Sequence, residues 1–395
     1  MDHATLFQAL DQLLTRHQEF WRFQAFHQTS ALWLQHDDLW NRLQALPANT
    51  LSNDNDNRAR FLQPWINDSE VMVRLCEVPQ LSKEPRLADQ TLAVPTALSY
   101  AVPGRKWQQI LSFAALVPSQ HHIIEWCAGH GHLGRLLAAQ GATSVTSLEW
   151  NRALCERGQQ LARRAGLSVH FDHVDVMTST ATRRLHTDCH AVALHACGDL
   201  HTRLLQSAAE QKTRALTVAP CCYHLTDQAI YQPLSSAAQL STLTLTRADL
   251  RLAVKVTVTA GAAARRKADQ EVGWRLGFDS WQRVQRNADD YLPLPALPQP
   301  LLRGSFHHFV QWAAAVKTLP PPTEMDSAHY ERLGQQRFHI TRRMEWLQQL
   351  FSRPLELWLL LDRVLYLQEQ GYRVDIGTFC DDRVTPRNLV ICARS

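Results

Sequence analysis

An acid and two glycines stand close together in Glu125-Trp126-Cys127-Ala128-Gly129-His130-Gly131. Glycine is required where a backbone passes close to a bound nucleotide, because a Cβ would block the approach. The acid opens this turn instead of following it by one strand. That points to a ligand with a free amino group as well as a nucleoside. Two further acids follow, Glu149 in Ser147-Leu148-Glu149-Trp150 and Asp175 in Asp172-His173-Val174-Asp175-Val176. A carboxylate is the natural acceptor pair for the two hydroxyls of a ribose. Farther on, His195-Ala196-Cys197-Gly198-Asp199 and Pro220-Cys221-Cys222-Tyr223-His224 supply imidazoles, thiols and a carboxyl. Such groups move protons or attack electrophiles.

These peptides need strands to hold them. The apolar run 122–127 reads as a buried strand, followed by a tight turn and a helix over 132–140 with Leu133, Leu136 and Leu137 on its apolar side. Strands are expected at 144–148, 169–174, 191–195 and 215–219, with helices at 107–116 and 151–165. Strands alternating with helices predict a parallel sheet covered on both faces. In such a sheet ligands bind beyond the carboxyl ends of the strands. Glu125, Glu149 and Asp175 then fall at three successive strand ends. His195, Asp199, Cys221, Cys222 and His224 fall at the next two, where substrate would meet cofactor. The alternation resumes late, with a helix over 355–370 closed by Gly371 and strands at 372–379 and 388–393.

The loop resembles motif I of class I S-adenosylmethionine-dependent methyltransferases, whose usual form is acidic-x-Gly-x-Gly-x-Gly. Cys127 stands at the first glycine position. The resemblance implies S-adenosyl-L-methionine as cofactor. It implies that the loop wraps the methionine half, that Glu125 reaches its amino group, that Glu149 accepts the ribose hydroxyls and that Asp175 accepts from the adenine amino group. The implied cofactor set is Glu125, Cys127, Ala128, Gly129, Gly131, Glu149, Trp150, Asp175, Val176 and His195. The fourth and fifth strand peptides resemble a subgroup with the tRNA acceptor-stem 2′-O-methyltransferases, the glutathione S-transferase C-terminal domain-containing protein and methyltransferase-like relatives. Gly377-Thr378-Phe379-Cys380 and Thr385-Pro386-Arg387-Asn388 are similar to the same group. The likeness covers about 100–225 and 352–395. The zinc-binding modules of the tRNA enzymes have no counterpart here, so their substrate is not carried across.

The fold expected is α/β, a Rossmann-like seven-stranded methyltransferase sheet with an N-terminal helical region and a large insertion. The divisions are 1–95 (helical), 96–225 (cofactor-binding half), 226–350 (insertion) and 351–395 (closing helix and strand pair). Within the first, Phe7, Leu10, Leu13 and Leu14 recur at helical spacing, aromatic residues continue over 20–26, and Asn53–Asn57 reads as a polar loop. The insertion holds a strand-like 240–246, a basic helix around Arg265-Arg266-Lys267, and proline-rich spacers at 292–300 and 319–322.

His195, Asp199 and His224 are candidates for moving the acceptor's proton, while His195 also reads as a packed strand-end residue and Asp199 as a helix cap. Cys221 and Cys222 permit three readings: a tightly packed pocket wall, part of a thiolate-rich zinc site with Cys197 and His224, or a nucleophile. Their spacing is not a Cys-x-x-Cys pair, and no metal is assigned.

Only six of the 41 basic residues are lysines. Arginine suits phosphate forks and base stacking, although an arginine-biased genome has the same effect. Arg265, Arg266, Lys267, Trp274, Arg275, Trp281, Arg283 and Arg286 mix cations and aromatics, as a nucleic-acid surface or a solvated helix with a buried tryptophan face would. The expected acceptor is structured RNA, ribosomal or transfer. The alternatives are a protein substrate connected with translation, or a non-catalytic binding module. No secretory signal or transmembrane run is read. Nine cysteines, an odd number lying mostly in apolar segments, indicate a reducing cytoplasm.

Overall fold

The computed structural model describes residues 1–30, 37–47, 51, 54–81, 98–100, 102–118, 121–255 and 262–395. Two compact units are built from interleaved segments. One comprises residues 1–16, 71–255 and 351–395; the other comprises 17–70 and 256–350.

The first unit holds a single sheet of β1 (His122–Trp126), β2 (Ser144–Glu149), β3 (Val169–His173), β4 (Cys189–Cys197), β5 (Ala215–Cys221), β6 (Arg373–Thr378) and β7 (Leu389–Arg394). Their order is β3-β2-β1-β4-β5-β7-β6. β1 to β5 run parallel, and β7 lies antiparallel between β5 and β6. This is the Rossmann-like seven-stranded sheet that the sequence predicts. β5 is buried at every position, as a strand covered on both faces must be. The edge strands alternate instead: Val169, Phe171, Val374 and Ile376 are buried, whereas His170, Arg373 and Asp375 are exposed.

Helix Gly104–Ala114 precedes β1, and helices His132–Ala139, Arg152–Arg164 and Asp199–Glu210 connect strands of the sheet. Asn151 starts helix Arg152–Arg164 by accepting from the Leu154 amide at 3.2 Å, satisfying one of the donors a helix start leaves open. Phe113, Ile123, Leu136, Val145, Phe171 and Phe379 share one core. Helix Ser352–Glu369 is buried along most of its length and ends at Gly371, whose φ of +88° suits glycine.

Two local expectations change. Leu240–Thr246 is no strand; it makes one isolated bridge, between Ile230 and Thr246, and lies between helices Ser236–Gln239 and Arg247–Leu252. Thr246 and Asp249 form a reciprocal capping box, so this stretch ends in a helix start instead of a ladder. Within Asn53–Asn57, Asp54 accepts from the Asn57 amide at 3.0 Å and caps helix Asn55–Leu62. Asn53 lies outside the described residues.

In the second unit, helices Ala262–Arg286, Phe306–Val316 and Ser327–Gln348 enclose Trp274, Phe278, Trp281, Phe306 and Phe309. A Cβ on Gly334 would come within 2.2 Å of the Gly273 carbonyl oxygen, so glycine lets the first and third helices touch. The fully buried Asp279 pairs with Arg283 at 2.9 Å and Arg337 at 2.8 Å. No helix among the described residues is long and apolar enough to cross a membrane.

Candidate cofactor and acceptor site

The loop after β1 turns through three left-handed residues, Cys127 (φ +57°), Gly129 (φ +59°) and Gly131 (φ +62°). Gly129 is open on its Cβ side, with no atom within 4 Å of where that carbon would be. Gly131 is glycine for a second reason: its Cβ would stand 2.4 Å from Cζ of Phe171. Gly158 meets the same ring atom at 2.3 Å, so the β3 phenyl is seated between two glycines. Cys127 holds the left-handed conformation with a side chain, which costs an L-residue roughly 1–2 kcal/mol.

The three acids end up in different surroundings. Glu125 is buried and turned toward β2 and the following helix, where it accepts from Ser147 Oγ at 2.6 Å. Burial pushes its pKa up to about 7, opposed by Ser147, the Gly134 amide and Arg135. Glu149 accepts from the Gly129 amide at 2.8 Å and the Asn151 amide at 2.9 Å, tying the end of β2 to the β1 loop. Asp175 is exposed and accepts from the Met177 amide at 2.9 Å. Beside Glu149 the Trp150 indole is 74% exposed, while Val176 is buried. An open glycine, carboxylates at three strand ends and a bare aromatic face fit a nucleoside that carries a cationic amino acid.

The β4 and β5 ends are irregular. The register between them shifts between Leu194 and Cys197, and His195 has φ +67°. His195 Nε2 lies 2.8 Å from Gln109 Oε1, and the Gln109 amide nitrogen donates to the Val384 carbonyl at 3.3 Å. The Gln109 oxygen is therefore the acceptor, Nε2 carries the proton, and Nδ1 keeps a lone pair. Burial, with Lys106 and Arg387 nearby, pushes the His195 pKa down to about 4. Asp199 opens its helix but does not cap it; its Oδ2 accepts from the Asp227 amide at 3.0 Å. Gly198 precedes it at φ +54°, and a Cβ there would strike the Leu225 carbonyl oxygen at 1.7 Å. The sulfurs of Cys197, Cys221 and Cys222 all lie within 4.8 Å of one another. His224 does not join that group, and its Nδ1 is buried without a partner among the described residues.

Residues 105–229 match the family model of a methyltransferase domain. Residues 105–229 thus form a methyltransferase domain. Solved structures show local likeness only. The tRNA (uracil-54, C5)-methyltransferase of Pyrococcus abyssi, in complex with S-adenosyl-L-homocysteine, is 17% identical over 28% of this chain and 27% of that one, with a TM-score of 0.25. TrmK of M. capricolum, bound to the same product, is 11% identical over 28% and 50%, at 0.24. An rRNA methylase of Streptococcus thermophilus is 12% identical over 34% and 89%, at 0.24. The match thus spans half or less of the first two of these chains.

Beneath the methyltransferase domain's β4 end lies a polar group that spacing does not reveal. Arg363, fully buried on helix Ser352–Glu369, donates from Nε to His201 Nε2 at 2.8 Å. His201 Nδ1 then donates to the Ala196 carbonyl at 3.0 Å. The Arg363 guanidinium also lies 4.8 Å from the Tyr223 ring centroid. The neighbouring Asp362 accepts from the amides of Leu234 and Ser235 and from the Tyr231 hydroxyl. The signal available was an adjacent acid and base inside the apolar run Trp358-Leu-Leu-Leu-Asp362-Arg363-Val-Leu.

Proposed function

We propose that this methyltransferase modifies structured RNA, ribosomal or transfer, in the cytoplasm. The observation that carries the reading is electrostatic. Lys106, Arg251 and Arg387 come from three separate segments and all act on the β4–β5 end, lowering the pKa of His195 or His224. None of the three is in an ion pair among the described residues, and Arg387 Nε is buried without a hydrogen-bond partner. Cations left unpaired around an acceptor site suit a phosphate backbone. The basic helix contributes less than its composition promises. Trp274 and Trp281 are buried, and Arg275, Arg283 and Arg286 are paired with acids. Only Arg265, Arg266 and Lys267 remain exposed there.

When bound, S-adenosylmethionine supplies an electrophilic methyl group on a sulfonium sulfur. Cys127, Ala128, Gly129 and Gly131 allow close backbone approach, and Glu125, buried beneath the loop and held by Ser147, ionises when the cationic amino group binds above it. Glu149 accepts the ribose hydroxyls, Asp175 accepts from the adenine amino group, and Trp150 and Val176 flank the base. His195, neutral with Nδ1 unprotonated, offers a hydrogen-bond acceptor that orients the methyl acceptor's N–H or O–H. Asp199 and His224 hold the loop over the acceptor, and Cys221 and Cys222 form its wall. Alignment of acceptor and methyl donor is the main contribution of such a site.

The test is transfer of labelled methyl groups by the purified protein into lysate from cells that lack it. Label released by ribonuclease is the expected result. Label released only by protease would replace RNA with a protein substrate.

A further inference from the structure

We infer that Cys197, Cys221 and Cys222 form a binding site for one thiophilic divalent cation, zinc being the fitting ion. Their three sulfurs lie within 4.8 Å of one another, and Cys197 and Cys221 stand 3.5 Å apart. A tetrahedral zinc with sulfur at about 2.3 Å places its sulfurs about 3.8 Å apart. The cluster therefore has the dimensions of a thiolate site without rearrangement of the backbone. All three cysteines are free thiols.

Two backbone irregularities create the cluster. Side chains of consecutive strand residues point to opposite faces, so Cys221 and Cys222 would ordinarily diverge. Cys222 has φ +48°, a left-handed turn that brings its sulfur back beside that of Cys221. The register shift after Leu194 then re-pairs β4 with β5 at Cys197 and Cys221. Neither irregularity is needed to pack an apolar wall. Three protein ligands leave one coordination position for a non-protein ligand. Of the three readings the sequence left open for these cysteines, the convergence of the sulfurs favours the thiolate site, with His224 outside it.

The test uses the full chain, reduced and freed of metal with a chelator, titrated with Co²⁺ and then Zn²⁺ without methyl donor. One Co²⁺ per chain with a sulfur-to-metal charge-transfer band, displaced by Zn²⁺, is expected. C197S and C222S should each weaken Zn²⁺ binding by more than the roughly 10–100-fold typical of losing a residue that only supports a ligand. C392S, in β7 outside the cluster, should bind as the parent does. If the cluster variants fail to fold, alkylation of the parent protein decides: Zn²⁺ should protect these three of its nine cysteines. Absence of the charge-transfer band, or protection spread over the other six thiols, would overturn the assignment. Methyl transfer enters neither measurement, so failure here leaves the proposed substrate standing.

Discussion

Arg363 and His201 form a buried cation–imidazole hydrogen bond of 2.8 Å, in which the imidazole is the acceptor. Burial and the adjacent guanidinium hold the His201 pKa well below its usual value, so the ring stays neutral. Its one N–H, at Nδ1, donates to the Ala196 carbonyl in β4. Helix Ser352–Glu369 thereby fixes the strand that carries His195 and Cys197.

Arg363→Leu should therefore destabilise the protein by about 3–5 kcal/mol, the usual effect of removing one member of a buried charged network. Urea unfolding would measure it. A loss within the ±0.5 kcal/mol typical of surface changes would show that the network contributes nothing to stability.

Glu125 predicts a pH dependence. Burial raises its folded pKa to about 7, above the ordinary glutamate value, so the folded state binds the extra proton. The stability this contributes is fully present below about pH 4.5 and is lost as pH rises through about 7. The loss amounts to roughly 3 kcal/mol. Glu125→Gln, unfolded in denaturant across pH 4.5–8 without cofactor, should lack this decline. An unchanged slope would assign the dependence to other groups.

The left-handed loop residues should separate by what surrounds them. Gly131→Ala meets both the φ penalty and the Phe171 ring, for a cost of roughly 2–4 kcal/mol. Gly129→Ala meets only the φ penalty, about 1–2 kcal/mol, and should lose cofactor affinity instead. Cys127→Gly relieves a similar strain and should raise the melting temperature. Differential scanning calorimetry with and without S-adenosylhomocysteine would resolve the three.

Asp199→Ala should lower methyl transfer roughly 10- to 100-fold while cofactor affinity, measured by calorimetry, is kept. Because Asp199 holds the Asp227 amide, Asp199→Asn retains an acceptor and should recover most of the rate. No recovery would mean that the charge itself is required. Loss of cofactor binding would move Asp199 to the cofactor side.

The sheet was legible because β1, β4 and β5 are short, largely apolar runs, β2 and β3 are short segments carrying Val145, Leu148, Val169 and Phe171, and Glu125, Glu149 and Asp175 recur at their ends. Local chemistry of this kind survives in one sequence. The Thr246 cap was missed because a Leu–Thr alternation has the period of a strand while a Thr-x-x-Asp pair starts a helix, and the cap prevailed. Convergence of Cys197 with Cys221 and Cys222 depends on left-handed backbone at Cys222 and a shifted register, neither of which residue types announce. Arg363 and His201 are 162 residues apart, so no spacing rule connects them. Phe171 explains two glycines, but only once β3 is laid beside the loop and the helix that carry them.

The antiparallel β7 has a consequence for how the chain reaches this structure. Val218 of β5 pairs with Ile391 of β7, across a sequence separation of about 170 residues. The parallel half, from β1 to β5, spans only residues 122–221 and closes short loops. Closing the long loop costs chain entropy before any contact compensates it, and distant pairings slow folding. The half that receives the nucleoside is therefore set to assemble first. The strand that pairs with Ala215–Val218 of β5 arrives last, and until it does β5 presents an unpaired edge.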